Sequence, residues 1–292
     1  MRENGAKKIT LRSRRAFGAI CFLLPSIAGV TAFVLLPFAD VILRSFQNGT
    51  GRFDGLSNYS AVIENDAFLM AAGNSAKFVL VCIPLLLAVS LAVTLTASAA
   101  RWGKEFFKTS FLLPMAVPTA SIVLLWQLLF DNNGIINGVL NAFNLPVVDW
   151  MGSNCAFYVL VLSYLWKNTG YNMVLWLSGL GGIPKEYYEA ARIDGAGAWQ
   201  EFIYITLPQL RSTLGIVAVL ALINSFKVFR EAYLVAGGYP DKSIYLLQHL
   251  FNNWFVKLEL PKLYAAAVLL AAAILIVILV FRFILNKRGD EQ

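Results

Sequence analysis

The chain has 292 residues, 58% of them hydrophobic and only 14% charged, with a formal net charge of +7. Its mean hydropathy of +0.65 excludes an ordinary soluble domain, whose surface needs more charge than this composition supplies. In a soluble protein the positive balance would suggest nucleic acid; here orientation in a membrane accounts for it better, and no nucleic-acid partner is expected.

Uncharged runs set the class. Residues 16–39, 78–100 and 109–130 contain no Asp, Glu, Lys or Arg, and 265–281 is almost wholly Ala, Leu, Ile and Val. About 20 apolar residues in a helix cross roughly 30 Å of hydrocarbon. A helix satisfies its own backbone polar groups there, which extended chain cannot do. The expected fold is all-α and polytopic, with six transmembrane helices over 16–45, 74–99, 106–130, 155–180, 211–235 and 263–286. The first reads as a retained span, because it is long for a signal peptide, contains Pro25 and lacks a clear cleavage site. Cys21, Cys82 and Cys155, an odd number scattered along apolar segments, read as small buried hydrophobes.

Basic residues give the orientation. Arg2, Lys7, Lys8, Arg12, Arg14 and Arg15 precede the first span, Arg101, Lys104 and Lys108 follow the second, and Arg282, Lys287 and Arg288 close the chain. The connection 131–154 on the other side has no Lys or Arg. Both termini therefore face the cytoplasm. In the outer loops, Ser57 is expected to cap a short helix reaching Glu64, and Asn132-Asn133-Gly134 and Gly237-Gly238-Tyr239-Pro240 to form turns. The whole of 1–292 reads as one membrane domain.

Chemistry that is missing narrows the function. There is no Gly-rich phosphate loop, and His249, the one histidine, is expected in an outer loop away from any metal or nucleophile partner. Catalysis by this chain is not expected. Ionisable groups at membrane depth instead mark a partner or a water-filled path, which singles out Lys167, Lys227, Arg230 and Glu231. Asn168, Tyr171, Asn172 and Asn224, with Lys227, are the candidate substrate-pathway residues, and Trp166 and Trp176 offer ring faces for a sugar. The plainer alternatives are polar side chains that hold helices together and an Arg230–Glu231 pair snorkelling at the membrane edge. Trp126 and Gln127 lie nearer the interface.

The most distinctive segment is the cytoplasmic insert, about 183–208. Ile183-Pro184 ends the fourth span, Lys185 to Ile193 reads as a short helix, and Gly195 and Gly197 allow a sharp turn. Trp199, Phe202, Ile203 and Ile205 then form an apolar stripe, and Pro208 is expected to break the chain before span five. An amphipathic helix lying on the membrane is one reading. Glu186, Glu189, Asp194 and Glu201 weigh against it, since an anionic leaflet repels them, and favour a docked protein.

Glu189-Ala190-Ala191, then Asp194-Gly195-Ala196, then Phe202, Ile205, Leu207 and Pro208 resemble the "EAA" loop of bacterial binding-protein-dependent ABC importer permeases. Phe53, Gly55, Leu56, Asn58 and Tyr59, followed by Phe68 and Asn74, resemble the first outer loop of the carbohydrate permeases of that family. Gly237-Gly238 resembles the Gly-Gly-Pro that often follows their fifth span, but Tyr239 before Pro240, and Ser212 where many relatives have proline, depart from the pattern. The resemblance implies a type I (MetI-like) permease fold and a non-catalytic subunit of an ATP-driven sugar importer in the bacterial cytoplasmic membrane. It further implies a second homologous permease subunit, a cytoplasmic ATPase pair that uses ATP and Mg, and an extracellular binding protein. Glu189, Ala190, Ala191, Asp194, Gly195 and Ala196 would couple to the ATPase. The competing class is a secondary transporter driven by an ion gradient, with Lys167 or Glu231 in proton coupling. Such a protein would have no use for the Glu-Ala-Ala loop.

Overall fold

The computed structural model describes residues 20, 22–99 and 104–287, and among these the regular structure is helical apart from an isolated bridge between Gln47 and Phe53. Two compact units are distinguished. One comprises the described residues up to Ile63 together with Leu258–Ala272; the other comprises Glu64–Lys257 and the described residues from Ala273 onward.

The first unit opens with α1, Phe22–Ser45. Its Thr31–Leu35 turn is a π-helix, closed by the Leu36 N–H on the Thr31 carbonyl. Pro37 follows directly; lacking an N–H and crowding the preceding turn, it disfavours the regular ladder, and the wider turn absorbs the mismatch. The last carbonyls of α1 find side-chain donors, as helix ends require. Asn58 Nδ2 donates to the carbonyls of Ser45 (2.9 Å) and Gln47 (2.8 Å), and Ser45 Oγ lies 2.6 Å from the Tyr59 hydroxyl. Asn58 and Tyr59 belong to α2, Ser57–Ile63. Ser57 does not act as the expected cap: its hydroxyl donates to the Asp54 carboxylate.

The second unit contains α3 (Asp66–Ala99), α4 (Lys104–Ala116), α5 (Thr119–Phe130), α6 (Ile135–Ala142) and α7 (Cys155–Gly181). After these come α8 (Lys185–Ile193), α9 (Ala198–Glu201), α10 (Arg211–Ser225), α11 (Phe229–Ala236) and α12 (Leu247–Val256). The closing helix α13, Leu260–Lys287, runs through parts of both units. Among the described residues, four stretches are long and apolar enough to cross a membrane: Phe22–Ser45, Asp66–Ser98, Arg211–Ala236 and Leu260–Phe283. The span expected over 106–130 is broken. Thr109–Ala116 and Thr119–Ala142 meet at a 100° bend, because Pro118 pushes Val117 out of the helical region.

Helix α7 has 27 residues, about 40 Å at 1.5 Å per residue, but is too polar to qualify on hydropathy. It packs against α3, α4 and α10, and its polar Ser163, Thr169 and Asn172 are buried in the protein. Lipid tails supply no hydrophobic drive between helices, so close contact and interhelical hydrogen bonds decide the packing. Gly170 on α7 lies so near the Phe111 carbonyl of α4 that a Cβ would overlap it, and Gly179 similarly admits Thr213. The Tyr164 hydroxyl donates to the Ala221 carbonyl at 2.7 Å, and Trp176 Nε1 to Ser90 Oγ at 2.9 Å. Phe78, Cys82 and Leu86 of α3 bury themselves against Phe157, Leu160 and Tyr164 of α7.

Two connections are organised by single side chains. Asn137 Nδ2 donates to the carbonyls of Asp131, Asn132 and Val148, while its Oδ1 accepts from the Val148 amide and Trp150 Nε1 (2.9–3.2 Å). The expected Asn132–Gly134 turn is closed by Asp131, whose carbonyl accepts from Gly134 at 2.8 Å. After α11, Gly237 takes φ +74 and Asn253 Nδ2 donates to the Gly238 carbonyl at 2.9 Å.

Candidate functional site

A cavity of about 170 Å³ opens inside the second unit. Helix α7 lines it with Ser163, Tyr164, Lys167 and Asn168, which fall three and four residues apart and so on one face. Asn224 of α10 faces them, followed by Lys227 and Val228 from the 3₁₀ turn Phe226–Val228; Glu231 of α11 and Met115 of α4 complete the wall. Lys167 Nζ donates to the Glu231 carboxylate and to Thr119 Oγ1 at 3.3 Å. One ammonium thus joins α7 to α11 and to the first residue of α5, beside the Pro118 break. Lys227 Nζ donates to Asn224 Oδ1 at 2.8 Å, and Asn168 Nδ2 to the Tyr164 carbonyl at 2.8 Å.

Of the expected pathway residues, Asn168, Asn224 and Lys227 meet in this cavity. Tyr171 is half-buried and off its wall. Asn172, one turn beyond Asn168, is 1% exposed with neither amide atom partnered, and it too lies off the wall. Glu231 pairs with Lys167 rather than with Arg230, which is exposed. Trp176 is core, hydrogen-bonded to Ser90, and presents no ring face to a sugar. Trp166 packs edge-on against Trp126, with centroids 6.0 Å apart. Met115, Ser163, Tyr164 and Val228 also line the cavity without having been expected there; for Ser163 and Tyr164 the spacing of four and three before Lys167 is a usable signal.

His249 is not in a loop. It sits fully buried on α12, where its Nδ1 accepts the Leu246 amide at 3.1 Å. Its ring lies 4.8 Å from that of Phe229 and 5.7 Å from that of Tyr245. Burial, which penalises the charged imidazolium, lowers its pKa to about 4.

The insert that follows α7 is built from short helices and tight turns. Helix α8 starts after Pro184 and ends in a Schellman motif: Ala196 N–H donates to the Ala191 carbonyl at 2.9 Å and Gly195 N–H to the Arg192 carbonyl at 3.1 Å. That closure needs a left-handed residue, and Gly195 supplies it with φ +83. The Asp194-Gly195-Ala196 pattern is therefore a helix terminator, with Ala191 and Ala196 small where the turn closes. Gly197 N–H then donates to Gln200 Oε1 (2.8 Å) to start α9. Arg192 joins the two helices, its Nε lying 2.7 Å from Glu201 Oε1 and its Nη2 3.4 Å from Oε2. The hydrogen bond from Arg192 holds the Glu201 carboxyl below its ordinary pKa.

A second tie joins the Tyr188 hydroxyl to Thr206 Oγ1 at 2.9 Å. Tyr188 and Ile205 pack on a buried cluster of Trp176, Ile183, Leu210 and Val217. The insert is thus seated on the end of α7. Pro208 does not break the chain as expected. It occupies the early turn Leu207–Gln209, where a missing N–H is tolerated, and the path continues into α10. The outer surface of the insert is partly apolar: Ile193, Trp199 and Tyr204 are 86%, 71% and 76% exposed, and Glu189, Ala190, Asp194 and Gly195 are exposed with them.

A polytopic helical protein with a polar cavity in its bundle and a structured, exposed insert on the helix that lines that cavity is a translocation protein. Residues 85–290 match the family described as binding-protein-dependent transport system inner membrane component, and the chain belongs to that family. It is 31% identical to the diacetylchitobiose uptake system permease protein NgcF of Streptomyces coelicolor, over 94% of this chain and 84% of that one. It is 29% identical to the trehalose/maltose transport system permease protein MalF of Thermococcus litoralis, over 84% and 85%. The arabinooligosaccharides transport system permease protein AraP of Bacillus subtilis is 31% identical, over 91% and 86%. Among solved structures, a bacterial ABC transporter involved in alginate import superposes with a TM-score of 0.83 over 96% of this chain and 99% of that one. At 18% identity that likeness is one of fold.

Proposed function

We propose that the chain is the membrane-spanning, non-catalytic subunit of an ATP-driven importer that takes up a sugar or oligosaccharide. The observation that carries this is mechanical. Helix α7 lines the cavity with Lys167 and Asn168 and, nine residues beyond Lys167, places Trp176 in the cluster that seats the insert. A push on the insert is therefore a displacement of the cavity wall.

In this reading a cytoplasmic ATPase pair docks on the exposed face of the insert and binds the ATP and Mg itself, while this chain holds no cofactor. Glu189 makes charge-assisted hydrogen bonds to the ATPase, and Ala190, Ala191, Gly195 and Ala196 permit close approach. A second homologous permease completes the pathway, and an extracellular binding protein delivers the solute. In this reading both termini lie on the cytoplasmic side of a bacterial cytoplasmic membrane, the side that basic flanks favour. The saccharides in the names of the relatives supply the substrate class, and a cavity of amide, hydroxyl and paired charged groups suits it.

The test is a mild-detergent pull-down of tagged chain, followed by reconstitution into liposomes with internal ATP. Co-purification of a second permease and an ATPase, with hydrolysis raised by a saccharide-loaded binding protein, is expected. Recovery of this chain alone, with uptake driven by a proton gradient, would instead make it a secondary transporter.

A further inference from the structure

Lys227 lies inside Arg211–Ala236, a stretch long and apolar enough to cross a membrane, about 14 Å from Ala236 at 1.5 Å per residue. A charge at that depth is costly and settles beside an opposite charge or a water-filled path. Lys227 lines the cavity and is exposed, but among the described residues no carboxylate pairs with it. Its side-chain partner is neutral. Asn224 Oδ1 takes one of the three ammonium N–H groups at 2.8 Å and leaves two. The acid on the same wall is already matched: Glu231 is 5% exposed and holds Lys167, so those two charges cancel. Lys227 therefore leaves the wall with one uncompensated positive charge. Asn168, from the facing helix α7, adds a neutral donor, with one amide hydrogen on the Tyr164 carbonyl and the other to spare.

We infer that Lys227 is a specificity-determining residue that receives an anionic group, carboxylate or phosphate, of the transported saccharide. This rests on the cavity being the transport path. A neutral hydroxyl can accept one of the free N–H groups yet leaves the charge uncompensated. An oxyanion accepts both and cancels it. Hydrogen bonds between charged groups are roughly twice as strong as neutral ones, and closure of the path around the solute removes water and widens the difference. The solute class is therefore an acidic saccharide.

The test is equilibrium dialysis on the detergent-purified chain with its co-purifying subunits. The probes are two matched, radiolabelled pairs: trehalose against trehalose 6-phosphate, and cellobiose against glucuronosyl-glucose, its counterpart with a carboxylate. The parent is expected to bind at least one charged probe at least about tenfold more tightly than its neutral partner, and the pair that shows this tells phosphate from carboxylate. Lys227→Gln should bring that pair close to parity, and Lys227→Arg should keep the preference. Where the Gln variant does not assemble, salt decides on the parent: raising it from about 0.05 to 0.5 M should erode the preference, as an exposed charge requires. A parent that binds the neutral probes as well as the charged ones overturns the role of Lys227 and leaves the saccharide reading standing. So does a Gln variant that keeps the parent's ratio, or a ratio indifferent to salt. A parent that retains none of the four probes overturns the saccharide reading beneath, and this inference with it.

Discussion

Arg192 and Glu201 stand nine positions apart and hold each other across the Gly195 turn, through both carboxylate oxygens. The pair fixes the angle between α8 and α9, the two helices that present the exposed face of the insert. Glu201 is the shielded member, with its side chain 13% exposed against 66% for Arg192. Arg192→Glu should leave the bundle folded yet let the two helices splay, so ATP-dependent uptake falls several-fold while the cavity still binds its solute. Exchanging the charges, with Arg192→Glu and Glu201→Arg together, should recover part of the rate. A double variant no better than the single one would show that the insert's shape does not depend on this pair.

Gly195 makes a sharper prediction. At φ +83 any side chain costs roughly 1–2 kcal/mol in the left-handed region, and no neighbouring atom lies within 4 Å of a built Cβ. Gly195→Ala should therefore be strained without a clash. Gly195→Asp adds a charged group to the exposed face and should abolish uptake and shed the ATPase subunits, as should Glu189→Lys. Retention of those subunits through purification of both variants would sink the docking role.

Gly170 controls the bundle itself. A Cβ there would overlap the Phe111 carbonyl, a backbone atom that cannot rotate away. Overpacking typically costs about 1–3 kcal/mol, and a backbone clash belongs at the upper end. Gly170→Ala should lower the yield of folded protein and its melting temperature in detergent. Gly181→Ala, at a position with open space around it, is the matched control and should change little.

Much of this was legible in residue order because the controlling physics is local. Runs without charge mark spans, and Asp194-Gly195-Ala196 at the end of a short helix spells its own terminator. What escaped was non-local. Nothing next to Glu231 in sequence says that its partner is Lys167, 64 positions away and on another helix, rather than adjacent Arg230. Trp176 could not be told from a sugar platform until Ser90 was seen to take its indole N–H. The break of the third span is written in Pro118, yet the 100° angle between α4 and the segment Thr119–Ala142 is not a property of that one residue. His249 was misplaced because α12 is too short and mixed for its hydrophobic pattern to stand out.

That histidine sets the expected acid response. Its folded pKa of about 4 lies below the ordinary value near 6.5. Between those values the unfolded chain binds a proton that the folded one refuses, so stability rises with pH there. The contribution is intact above about pH 6.5, is lost progressively as the pH falls toward 4, and reaches about 3 kcal/mol. The neighbours of the ring, Phe229, Tyr233 and Tyr245, bring no acid to offset this. Melting of the detergent-solubilised protein should therefore drop across that window. In His249→Gln, whose side-chain carbonyl is a candidate to replace Nδ1 as acceptor for the Leu246 amide, the drop should flatten. An equal acid slope in both proteins would assign the loss to other groups.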